Sequence, residues 1–137
     1  MEYVKSFRDL EVYKLSREVS KEIFKLTKIF PKEELYSLTD QIRRSSRSVG
    51  AQIAEAWGKR RYEMHFISKL TDADAEQLET QHWLEISEES HYIDSDTRDN
   101  LLKKCELIGK MIQNMINKSS SFCRPLSIIP KTPNTEY

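Results

Sequence analysis

Glycine and proline are scarce in this chain. Only 3 glycines and 4 prolines occur among 137 residues, and no proline lies between Pro31 and Pro125. A sandwich or barrel of many short strands needs far more turn residues, so the composition excludes it and favours long helices. No apolar run approaches the roughly 18 residues that a membrane-spanning helix requires. The opening Met1-Glu2-Tyr3-Val4-Lys5 has none of the pattern of a secretory leader. Cysteine is limited to Cys105 and Cys123, with no metal-site spacing. Such a pair reads as two reduced thiols, one in the core and one in the tail. These features imply a cytoplasmic protein without a membrane partner.

Net charge is absent too, because 22 basic residues balance 22 acidic ones. That argues against a protein that coats nucleic acid through bulk charge. The average hides a strong asymmetry. Residues 41–61 hold six cations (Arg43, Arg44, Arg47, Lys59, Arg60, Arg61) against Glu55 alone, whereas residues 72–99 hold ten acids against Arg98. A molecule with one positive and one negative face can bind a polyanion, and it can equally bind its own copies.

Four segments carry a helical period. Val12, Leu15, Val19, Ile23, Leu26 and Phe30 recur at steps of three or four and predict a helix over residues 8–30. Ser6 and Asp9 are spaced as a capping box, and Pro31 ends the segment. Residues 33–57 form the second segment, with Leu35, Leu38, Ile42, Val49 and Ile53 as its stripe and Gly58 suited to a left-handed position past its end. Residues 62–89 form the third, with Phe66, Ile67, Leu70, Leu78, Leu84 and Ile86 as core. Residues 95–120 form the fourth, with Leu101, Cys105, Ile108, Ile112 and Met115. The expected fold is therefore all-α, an antiparallel up-down-up-down four-helix bundle over residues 1–122. An extended or disordered tail over residues 123–137 follows.

Two features set the middle helices apart. The second is rich in small residues, and Gly50, Ala51 and Ala54 share a flank beside Arg43 and Arg47. Either tight packing inside the bundle or contact with a neighbouring subunit explains that flank. In the third, Asp74, Gln77 and Gln81 stand where apolar residues are expected. Buried polar groups need partners, and Arg44, Ser48 and Glu55 on the second helix are the natural ones. All nine residues are candidates for a polar layer or a subunit interface. Arg43, Arg47, Lys59, Arg60 and Arg61 are the candidates for RNA or DNA contact, with Trp57 and Tyr62 close by for stacking.

Catalysis has little to stand on. His65, His82 and His91 are not spaced to share a helical face, and no paired Glu-x-x-His motif occurs. Residues 94–99 faintly resemble a calcium loop but lack its glycine and its final glutamate, so they read as a helix cap. No nucleophile motif or phosphate-cradling loop is present. The expectation is a protein that is not an enzyme, with no metal and no cofactor.

At this point several runs resemble one family. Phe30-Pro31-Lys32-Glu33-Glu34-Leu35-Tyr36-Ser37-Leu38, then Gln41-Ile42-Arg43-Arg44 with Ser48-Val49 and Ile53-Ala54-Glu55, then Asp74-Ala75-Glu76-Gln77-Leu78-Glu79-Thr80-Gln81 are similar in order to the 23S rRNA intervening-sequence (S23, "four helix bundle") proteins. Departures are Gly50 where proline is common, Gln52 for asparagine, Ala56 for glycine, and Lys59-Arg60-Arg61-Tyr62 at the entry to the third helix. The resemblance implies a bundle assembled as a homopentameric ring. It also implies a distant tie to the basic, nucleic-acid-binding accessory proteins of diversity-generating retroelements. The expected role is a non-catalytic scaffold or adaptor that binds itself, with RNA, DNA or an unidentified protein as further partner. A dedicated nucleic-acid accessory protein is the alternative.

Overall fold

The computed structural model describes residues 4–123, and these form four long helices with no strand among them. Helix α1 is Glu11–Thr27, α2 Leu38–Gly58, α3 Glu63–Glu89 and α4 Ser95–Asn117, with a single turn α5 at Ser119–Phe122. Of the expected tail over residues 123–137, only Cys123 is among the described residues.

Each helix is placed by its buried stripe. On α4 the stripe is Leu101, Cys105, Ile108, Ile112 and Met115, as expected, whereas on α1 it is Val12, Ser16, Val19, Ile23 and Thr27, with the expected Leu15 and Leu26 only half-buried at its edge. The Ser6–Asp9 capping box is present, but it holds a 3-10 turn at Phe7–Asp9, and α1 begins at Glu11. Helix α2 starts at Leu38 rather than 33, because Lys32–Glu34 winds as a separate 3-10 turn after Pro31. Leu35 consequently leaves the stripe and is 45% exposed.

Other expectations also change. Leu78 is exposed, and the buried face of α3 is instead Phe66, Leu70, Ala73, Gln77, Thr80, Leu84 and Ser87, at alternating steps of four and three. Gly58 has no left-handed backbone. It ends α2, and Lys59 closes the helix with an N–H to the Ala56 carbonyl. The left-handed residue is His91, with φ of 63°, which lets Tyr92 N–H reach back to the Ser87 carbonyl. Helix α4 stops at Asn117, short of the expected 120, and the chain turns at Lys118 into α5. That turn stacks Phe122 on Phe66 and buries Cys123, so both cysteines are interior and neither is paired.

Helix α2 packs most extensively on α3, α3 on α4, and α1 closes against α2 and α4. Three side-chain contacts fix the heights of the helices relative to one another. Arg43 Nε donates to Thr27 Oγ1 at 2.7 Å, the Ser45 and Thr80 hydroxyls meet at 2.9 Å, and Lys104 Nζ donates to Glu22 at 2.9 Å. At one end, Tyr92 O–H donates to Glu34 Oε2 at 2.8 Å and its ring lies on Phe30, tying the α1–α2 connection to the α3–α4 connection.

Candidate interaction faces

The four seams between neighbouring helices differ in how their charges are matched. Lys104 of α4 bridges to Glu18 and Glu22 of α1. Arg44 of α2 forks between Glu76 and Glu79 of α3, and Lys69 reaches Glu55 and Gln52. Burial pushes the Glu79 carboxyl up, but the Trp83 indole and Arg44 hold it below its ordinary value. Arg98 of α4 joins Glu88 of α3. Among the described residues, only the α1–α2 seam has no ion pair across it.

Three cations of that seam gather on one ring. The guanidinium carbons of Arg43 and Arg47 lie 4.7 and 5.0 Å from the Phe24 ring centre, and Lys28 Nζ lies 5.0 Å from it. Each such contact contributes only about 0.5–1 kcal/mol when exposed. No carboxylate among the described residues lies within ion-pairing distance of any of the three. Farther along the same seam, Arg17 packs over Tyr13 and donates to its hydroxyl. Neither Phe24 nor Lys28 belonged to the expected cluster, although their i, i+4 spacing beside the buried stripe of α1 was a legible sign.

Gly50 belongs to the interior of this seam. A Cβ there would stand 3.0 Å from Ser16 Oγ and 3.5 Å from the Tyr13 ring, so the small residue admits α1 within one bundle. Ala51 faces outward and Ala54 is half-buried.

The five cations expected to bind nucleic acid are not one patch. Arg43 and Arg47 sit on the side of the bundle, whereas Lys59, Arg60 and Arg61 lie at the end of α2, about 24 Å along the axis from Arg43 at 1.5 Å per residue. There Arg60 stacks 3.6 Å over Trp57 and donates to its carbonyl, while Tyr62 is half-exposed beside His65.

The opposite seam, between α3 and α4, carries the polar residues. Asp74, Gln77 and Gln81 do not bond to Arg44, Ser48 or Glu55 as expected. They form a ladder along α3: Gln81 Nε2 donates to Gln77 Oε1 at 2.7 Å, and Gln77 Nε2 donates to Asp74 Oδ1 at 2.9 Å. Gln113 of α4 approaches Asp74 Oδ2 at 3.4 Å. Gly109 is why the ladder leans toward α4. A Cβ at that position would come within 2.9 Å of Gln77 Nε2. The outcome is a groove of about 650 Å³ lined by Asp74, Gln77, Gln81, Glu106, Lys110 and Gln113 among others. Beyond it lies an acid-rich stretch with Glu85 and Glu89, neither of which pairs with a cation among the described residues. Asp94 acts as the expected helix cap, accepting from Thr97 N–H at 2.7 Å. No cluster of three or more metal-ligating side chains occurs among the described residues.

The comparisons with known proteins agree on one family. The model of the 23S rRNA-intervening sequence proteins matches residues 8–114. A solved structure from Bacteroides thetaiotaomicron, described as a protein of unknown function from the S23 ribosomal protein family, is 31% identical. It aligns with a TM-score of 0.70 over 77% of this chain and 95% of its own. No curated protein matches. On the length of the family match and the shared helical fold, the chain belongs to the 23S rRNA-intervening sequence protein family.

Proposed function

We propose that this protein is a non-catalytic scaffold that assembles with copies of itself. The single observation that carries this reading is the placement of unmatched charge on opposite seams. Among the described residues, cations without an ion pair gather between α1 and α2, and carboxylates without one (Glu85, Glu89, Glu106) outnumber Lys110 between α3 and α4. A copy that offers its acidic seam to the next copy's basic seam satisfies both at once. Two different patches meeting head to tail generate a ring when the rotation closes. An up-down-up-down order of the four helices, and a ring of five, are what the family resemblance adds. Its place in the cell is the cytoplasm, and no helix among the described residues is long and apolar enough to cross a membrane.

Light scattering on the purified chain tests the proposal. The expected mass is a fixed multiple of 16.2 kDa. A single-chain mass at micromolar concentration ends the reading. Nucleic-acid contact is the second reading, supported by Lys59, Arg60 and Arg61 beside the half-exposed Tyr62 at the end of α2. It expects binding to mixed RNA or single-stranded DNA that weakens steeply with salt. Glutamate at all three positions should abolish that binding and leave the assembly intact.

A further inference from the structure

We infer that the Phe24 cluster is the docking seat for one particular stretch of a second copy, the α3–α4 rim formed by Glu106, Gln81 and Glu85. The inference rests on the self-association reading and adds which residues meet. Three cations held within about 5 Å of one ring repel one another, and no carboxylate among the described residues forms an ion pair with any of them, although Asp40 stands one turn before Arg43 on α2. Such a cluster gains most from an anion that arrives on it and displaces solvent.

The heights of the helices decide where that anion is. The Arg43–Thr27, Ser45–Thr80 and Lys104–Glu22 contacts put residues 22–28, 43–47, 76–80 and about 104 at one level of the bundle. Glu106 and Gln81 therefore stand at the height of the Phe24 cluster on the opposite side, with Glu85 one turn along α3. A neighbour displaced sideways, with no shift along the axis, sets Lys28, Arg43 and Arg47 against Glu106, Gln81 and Glu85. The side-chain oxygens of these three residues have no donor among the described residues, so the rim offers acceptors where the seat offers donors. Leu78, 55% exposed on the same stretch, supplies apolar surface at the contact. A nucleic acid would neutralise the cations but leave the carboxylates of the opposite seam unmatched.

Charge reversal within one chain is the test, because an odd-membered ring cannot alternate two kinds of subunit. The wild type is sized first by light scattering, and a monomer there ends the parent reading itself. Against an assembled wild type, Arg43→Glu with Arg47→Glu should fall to the mass of one chain, as should Glu85→Lys with Glu106→Lys. The chain carrying all four substitutions should regain the assembly. Circular dichroism checks each fold. Since Arg43 also holds Thr27, Lys28→Glu with Arg47→Glu serves as a second seat variant built on two exposed side chains. If a folded seat variant assembles like the wild type, or the fourfold variant stays monomeric while folded, the docking assignment is wrong although self-association stands. A seat variant that loses only oligonucleotide binding overturns the assignment in favour of nucleic acid.

Discussion

Ser45 and Thr80 meet across the α2–α3 interface, both essentially inaccessible to water. The Thr80 hydroxyl donates to Ser45 Oγ and also lies 2.9 Å from the Glu76 carbonyl, while Ser45 Oγ lies 3.4 Å from the Ile42 carbonyl. Thr80→Val deprives the buried Ser45 oxygen of its donor and should cost about 1–3 kcal/mol, the penalty for an unsatisfied buried polar atom. Ser45→Ala together with Thr80→Val removes both ends and should cost less than the single Thr80 change. Urea unfolding of the three variants measures the difference. Cys105 offers a second test. Burial, with a smaller push from Glu106, raises its thiol to about 12. The folded chain thus keeps a proton that the unfolded chain releases from the ordinary thiol range upward. Stability from this group is whole below that range and is lost as pH rises toward 12. Thiol-specific alkylation at pH 8 should spare Cys105 in the folded protein and label it in denaturant.

Among the elements, α1 and α4 were legible because their buried positions are largely apolar and evenly stepped. Helix α3 was not. Its stripe steps regularly by four and three, yet Ala73, Gln77, Thr80 and Ser87 occupy four of seven positions, so hydropathy conceals the face while geometry keeps it. Leu78, strongly apolar, lies on the outside instead. The Asp74–Gln77–Gln81 line was visible as unusual, but its partners were misassigned because only the absence of a Cβ at Gly109 turns it toward α4. The basic residues could be read as a run and not as two places, since sequence proximity does not report the length of a helix. The face assignment on α3 can be checked with one substitution at two positions. Ala73→Leu should overpack the core and cost about 1–3 kcal/mol, whereas Ala75→Leu, on the exposed side, should change stability by no more than about 0.5 kcal/mol. Thermal melts of the two variants decide it.

For the whole molecule, the apolar core holds the bundle together, and the charges without a partner among the described residues face outward. If ion pairing between copies is what joins them, raising sodium chloride from 50 to 500 mM (about 14 to 4 Å in screening length) should shrink the scattering mass toward one chain. Helicity should remain, since the core is apolar. A mass indifferent to salt would mean that apolar contact, not charge, binds the copies.

The separation of those two seams has a consequence for how the protein meets its surroundings. Two helices side by side span about 20 Å, which is more than twice the distance of about 8 Å over which physiological salt extinguishes a field. In solution neither seam senses the other. The isoelectric point, near 6.8, then describes an average that no approaching molecule encounters. Whatever arrives at the α1–α2 side meets a cationic protein, and whatever arrives at the α3–α4 side meets an anionic one.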